Sequence, residues 1–163
     1  IGSLTQALSE DFTHLYFTTA SSYVRVHELV SVIERLPTSG VYAGTPFTDA
    51  ISGTRFASGA SRILSRDVVE AVLANKKRYR NDVMEDAGLG RVIHELGIAL
   101  VPLTSINVSS VEAVKALPDE EIMTNFHFRT TSQSFRERRD ADVMRALHSR
   151  VVTLEASQGI RGE

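Results

Sequence analysis

Phe56-Ala57-Ser58-Gly59-Ala60-Ser61-Arg62-Ile63-Leu64-Ser65-Arg66-Asp67 and, further on, Glu85-Asp86-Ala87-Gly88-Leu89-Gly90 are the segments on which the organisation of this chain turns. The small residues around Gly59 predict a glycine-hinged loop that a ligand or a neighbouring strand can approach closely. Ser65 stands where an N-cap belongs, ahead of a helix burying Val68, Val69, Val72 and Leu73. From Asp86 onward, Leu89, Val92, Ile93 and Leu96 recur at helical spacing, and Gly97 occupies the C′ position. Loop, helix and acid-led helix together can arrange carboxylates and backbone amides around one polar ligand.

Upstream, Thr13-His14-Leu15-Tyr16-Phe17-Thr18-Thr19 reads as a short buried strand, with Ser21-Ser22 as a turn and N-cap. Val26, Leu29, Val30, Ile33 and Leu36 predict a helix ended by Pro37 and Gly40. Val41-Tyr42-Ala43-Gly44-Thr45-Pro46-Phe47 predicts a strand leading into a polar loop over residues 48–54. After Gly97, Ile98-Ala99-Leu100-Val101-Pro102-Leu103 reads as a buried strand. Ser109 with Glu112 forms a capping-box pattern for a short helix that stops at Pro118. Residues 122–129 alternate with period two, putting Phe126 and Phe128 on one face and His127 and Arg129 on the other. A last helix, about 140–152, buries Val143, Met144, Leu147 and Val151, and residues 156–163 read as a flexible tail. Strands alternating with helices predict one α/β domain over residues 1–155, layered around a mainly parallel or mixed sheet with flanking helices.

With 163 residues the chain is long enough for one domain with a real core. A net charge of −2 singles out neither nucleic acid nor an anionic membrane as partner. No apolar run approaches the roughly eighteen residues of a membrane span, and the start, Ile1-Gly2-Ser3-Leu4-Thr5, lacks the features of a signal peptide. The chain has no cysteine, which excludes disulfides, thiolate metal ligands and cysteine nucleophiles and fits a cytoplasmic protein.

In open α/β sheets ligands gather at the carboxyl ends of strands, where Ser21, Ser22, Gly59 and Arg129 are expected. Glu85 and Asp86 have two readings. Acids in a first helical turn complement exposed amides and the dipole; alternatively, one carboxylate faces a cleft and takes a proton from a hydroxyl. Gly88 and Gly90 cost roughly 1 kcal/mol each within a helix, so a ligand or another backbone is expected to come close there. His127 and Arg129 suit phosphate recognition or, equally, a half-buried histidine beside an edge ion pair. His94 and His148 lack a partner at ligand spacing, and the basic clusters 76–80 and 136–139 read as solvated faces. The phosphate-loop and dinucleotide fingerprints are absent.

The segment 56–67 resembles the F-A-S/T-G-x-x-x-x-L/I-S-R/K-D motif of GT-A glycosyltransferases of the beta-galactosyltransferase and Fringe type. Tyr42-Ala43-Gly44 is similar to their Y-x-G strand, and Glu85-Asp86-Ala87-Gly88-Leu89-Gly90 with Leu96-Gly97-Ile98 to their E-D-V-x-x-G … L-G-I segment. The resemblance spans roughly residues 11–98. It implies a three-layer, Rossmann-like GT-A fold and an inverting transfer of sugar from a nucleotide-diphosphate sugar to a hydroxyl of a glycan or other acceptor. Asp86 would be the base, supported by Glu85; Ser58 and Gly59 would shape the sugar pocket; Ser21, Ser22, His127 and Arg129 would contact substrate. Where the family carries its metal-binding D-x-D, this chain has Thr18-Thr19-Ala20-Ser21-Ser22-Tyr23-Val24, without a carboxylate. Hydroxyls are poor ligands for Mn²⁺ or Mg²⁺, so no metal ligand is assigned, and His127, Arg129 or a basic cluster would neutralise the leaving diphosphate. Only about ten residues precede the first strand, as in an acceptor-side half without the nucleotide-binding strands. The resemblance thus implies a fragment, or a truncated homologue whose open sheet edge is covered in a homodimer. A catalytically inactive relative that binds glycan or a protein partner is the alternative.

Overall fold

The computed structural model describes residues 2–80, 82–130 and 140–159. Along the chain the elements are α1 (Gly2–Ala7), β1 (His14–Thr18), β2 (Ser22–Val24), α2 (Val26–Glu34), β3 (Tyr42–Thr48), β4 (Arg55–Ser65), α3 (Arg66–Ala74), a 3-10 turn (Lys76–Arg78), α4 (Glu85–Glu95), β5 (Leu100–Pro102), β6 (Ile106–Asn107), α5 (Val111–Ala116), α6 (Asp119–Thr124), β7 (His127–Arg129) and α7 (Asp140–Ser157). The fold is mixed α/β, with mixed sheets and flanking helices, as the alternation predicts. The chain forms two compact units: Ile1–Thr19 with Ile33–Thr104, and Ala20–Val32 with Ser105–Glu163.

In the first unit the sheet order is β1-β4-β3-β5. β4 pairs antiparallel with β1 and β3, and β3 pairs parallel with β5. Tyr42, Ala57 and Leu64 of the sheet, Val68, Val69 and Val72 of α3, and Leu89, Val92 and Ile93 of α4 build one core. The helical stripes read from the sequence are therefore the faces that are buried. At the end of α4, Gly97 has φ +75; its N–H donates to the His94 carbonyl, and that of Ile98 to the Ile93 carbonyl. This is the Schellman closure that a C′ glycine permits.

Three expectations for this unit change. Residues 56–60 are not a loop: they lie within the eleven-residue strand β4, the central partner of two others. The segment 98–103 is not a buried strand. Only Leu100–Pro102 pairs, along an edge, with Val101 40% exposed, and Pro102 is tolerated because an edge needs no second set of donors. β1 is also an edge and is half-buried, with Leu15 and Phe17 against the core.

In the second unit the order is β2-β7-β6, with β7 antiparallel to β2 and parallel to β6. Phe128, Val108, Val114, Ile122, Val143, Leu147 and Val151 form its core. Ser22 lies in a strand rather than a turn, and α2 begins at Val26, with Leu29 buried but Val26 and Val30 exposed. The cap of α5 is Ser110, whose side chain accepts from the Ala113 N–H at 3.0 Å, one residue beyond the expected Ser109–Glu112 box.

The predicted strand 122–129 is only partly strand: residues 122–124 are the end of helix α6. Pro118 opens α6, three acids occupy its first turn, and the Arg25 guanidinium donates to the Ile122 and Met123 carbonyls at its end. Acids at the start and a cation at the end both favour the helix through its dipole. The alternation survives only in His127–Arg129. α7 runs on to Ser157, past the start of the expected tail, and Met144 is half-buried rather than core. The basic cluster 136–139 and the tail residues 160–163 lie outside the described residues.

Candidate functional site

The first cluster grows from an irregularity in β4. On the β3 side the ladder pairs Gly44 with Arg62 and then Pro46 with Ala57, so the register shifts between them. On the β1 side pairing ends with Ser61 opposite Thr18. Residues 58–60 therefore bulge out of both ladders, which leaves backbone donors unused. The Gly59 N–H donates to Oδ2 of Asp86 at 3.1 Å, and Oδ1 of Asp86 accepts the Ala87 N–H at 3.0 Å. The Ser58 hydroxyl is held locally, accepting the Ala60 N–H at 3.2 Å.

Asp86 sits in the first turn of α4, whose N-cap, Met84, supplies no side-chain cap. Its carboxylate therefore meets amides left without helical partners. Glu85 beside it is gripped by Arg62, with Nη1 to Oε2 at 2.9 Å and Nη2 to Oε1 at 2.8 Å. The Arg62 side chain is 6% exposed and its guanidinium lies 4.8 Å from the centroid of the Phe17 ring. The two-pronged pair and the ring face offset the cost of burying this charge, although Nε has no hydrogen-bond partner among the described residues.

The glycines of this region divide by cause. A Cβ on Gly90 would come 2.3 Å from Cβ of Phe56, and one on Gly88 3.2 Å from the Tyr79 ring. Helix-on-strand packing and Tyr79, rather than a ligand, thus account for both. A Cβ on Gly59 would make only ordinary contact, 3.6 Å from Oδ2 of Asp86. Next to Gly90, the Tyr42 hydroxyl accepts the Ala57 N–H at 2.7 Å, and burial pushes its pKa up to about 12.

The Ser65-Arg66-Asp67 end of the motif is scaffold. Ser65 is the N-cap residue of α3, as expected, but its hydroxyl makes no capping bond; it accepts the Val41 N–H and donates to Asp67. Arg66 donates to the Leu8 and Glu10 carbonyls, and Asp67 accepts the Gly40 N–H.

The second cluster lies on one face of the β2-β7-β6 sheet. Ser22 and Asn107 flank Arg129 in register across the three strands, while Tyr23, Phe128 and Ile106 point the other way, into the core. His127, 1% exposed, has Nδ1 2.6 Å from Oγ of Ser105 and Nε2 3.0 Å from Oγ of Ser22. The Ser21 carbonyl accepts from the Thr130 N–H and hydroxyl. Arg129 is half-buried, and its guanidinium has no partner among the described residues.

The eight residues expected at a site thus gather as two sets: Ser58, Gly59, Glu85 and Asp86 in the first unit, and Ser21, Ser22, His127 and Arg129 in the second. The sequence reading missed Arg62, Ser105 and Asn107. Arg62 carried a signal, a charged residue inside an otherwise small and apolar run; Ser105 and Asn107 carried none until strand register aligned them. His148, read as a structural or surface group because it lacks a partner at ligand spacing, lies 3.0 Å from the Tyr23 hydroxyl. Among the described residues no three His, Asp or Glu side chains gather as a metal site, and no helix is long and apolar enough to cross a membrane. No protein-family model matches the chain, and no curated protein matches it.

Proposed function

We propose that the chain acts in glycosyl transfer of the GT-A type, from a nucleotide-diphosphate sugar to a hydroxyl acceptor with inversion. The observation that carries this reading is the Gly59 N–H···Asp86 contact, which joins two segments 27 residues apart that each resemble a motif of that family. Asp86 takes the proton of the acceptor hydroxyl. The acceptor oxygen bonds to the anomeric carbon, and the bond from that carbon to the diphosphate breaks with its electron pair leaving on the phosphate oxygen. Glu85, clamped by Arg62, holds the first turn of α4 so that Asp86 keeps its place at the bulge; Ser58 and Gly59 border the sugar. The second unit, taken by itself, offers an anion-binding candidate of its own: Arg129, in register with Ser22, with His127 held between Ser22 and Ser105 and the Ser21 carbonyl ordering the strand end. The absence of cysteine accords with a cytoplasmic setting.

Asp86→Asn tests this directly. Asparagine cannot take the proton and keeps only one of the two acceptors that Gly59 and Ala87 use, so transfer should fall by about 10²–10⁴-fold, the usual share of a general base, with amide shifts confined to the neighbourhood of those two residues. Turnover at the wild-type rate would remove Asp86 from the mechanism.

One observation favours a second reading, a non-catalytic domain that binds glycan or a protein: both oxygens of Asp86 already accept backbone amides, as a purely structural staple would. Calorimetric titration with UDP- and GDP-sugars, with and without Mn²⁺, separates the two. Heat of binding supports transfer, and its absence throughout supports the second reading.

A further inference from the structure

In the first unit, the β3–β4 loop, the second half of α4 and the run into β5 enclose an open cavity of about 420 Å³ whose lining does not include Asp86. Its size lies within the roughly 300–1,000 Å³ of small-molecule clefts. Tyr42, Ile98 and Leu100 make an apolar floor, and Thr54, Arg55 and His94 bring polar groups to it. The Arg55 and His94 side chains have no hydrogen-bond or ion-pair partner among the described residues.

No carboxylate lines the cavity. Asp49, in the same loop, is consumed by the Ile51 N–H, the Ser52 hydroxyl and Arg91. The loop is preset, its ends closed by Asp49 N–H to the Thr54 carbonyl at 2.9 Å and Gly53 N–H to the Asp49 carbonyl at 2.8 Å. The α4 wall carries no side chain at Gly90, where α4 packs directly on Phe56.

We propose that this cavity binds a small phosphate monoester, its anionic head on Arg55, His94 and Thr54 and its compact apolar or planar body over Tyr42, Ile98 and Leu100. Several donors lining one cavity without a carboxylate suit a phosphate, and a guanidinium can meet two of its oxygens at once. An apolar floor rewards a ligand with a body over the bare ion.

The test is a titration of the isotope-labelled chain, followed by amide NMR, with phenyl phosphate, inorganic phosphate and phenol. Phenyl phosphate should give saturable shifts at Thr54, Arg55 and Ala99, inorganic phosphate should bind more weakly, and phenol should give none. Arg55→Gln and His94→Gln should each weaken phenyl phosphate by about tenfold, the size of one lost charge-assisted hydrogen bond, while Asp86→Asn leaves it unchanged. Absent binding, shifts centred elsewhere, phenol or inorganic phosphate binding as well as phenyl phosphate, or undiminished binding in both cavity variants would each overturn the proposal.

Discussion

At the scale of single residues, the site is built from groups whose identity is forced by a neighbour. Gly90 and Gly59 are alike in the sequence and opposite in cause. Alanine at 90 gains about 1 kcal/mol of helix propensity but drives its Cβ into Phe56, and overpacking of that kind costs about 1–3 kcal/mol. At 2.3 Å the clash belongs at the upper end of that range, so Gly90→Ala should lower stability in urea by about 2 kcal/mol net, whereas Gly59→Ala should stay within about 0.5 kcal/mol of wild type. A Gly90→Ala protein as stable as wild type would show that Phe56 does not set that position. The pairing of Arg62 with Glu85 is likewise a consequence of burial. A guanidinium sealed beneath the sheet needs an anion, and Glu85 is the one the fold brings to it.

At the scale of elements, the β3–β4 hairpin is tied to α4 through Asp49 and Arg91. The Ser52 hydroxyl and Arg91 hold the Asp49 carboxyl well below the usual carboxylate range. The Arg80 guanidinium lowers that of Asp82, and at Asp67 hydrogen bonds from Ser65 and backbone amides outweigh the upward push of burial. Each is thus more acidic folded than unfolded, where aspartate titrates near about 3.9. Their contribution is fully present above about pH 5 and is lost as pH falls through the depressed native values. Urea unfolding between pH 7 and pH 2 should show this decline. Asp49→Asn should be less stable than wild type at pH 7 and lose less on acidification; an equally steep loss in that variant would clear Asp49 of the effect. The amphipathic stripes of α3 and α4 and the Gly97 stop were legible from spacing, because helix periodicity is local. The bulge in β4 was not, since a strand's register exists only against its partners.

At the scale of the whole molecule, each unit has its own core. Leu147, fully buried in the second, should cost about 2–5 kcal/mol when replaced by alanine. Hydrogen exchange in Leu147→Ala should then quicken at Ile122 and Phe128 while Ile63 and Leu64 stay protected; equal loss in both units would show a single cooperative core. The α/β class, most helices and the residue types able to do acid–base and anion chemistry were already readable along the chain, since these follow from periodicity and composition. Periodicity misled at residues 122–124, because the two-residue alternation of 122–129 was outweighed there by a proline start, three acids ahead of them and the reach of Arg25 to the helix end. Only tertiary structure decided that Gly59 meets Asp86, that Arg62 holds Glu85, and that Ser22 and Ser105 bracket His127. Contacts between residues tens of positions apart depend on strand register and helix docking, which no local pattern encodes.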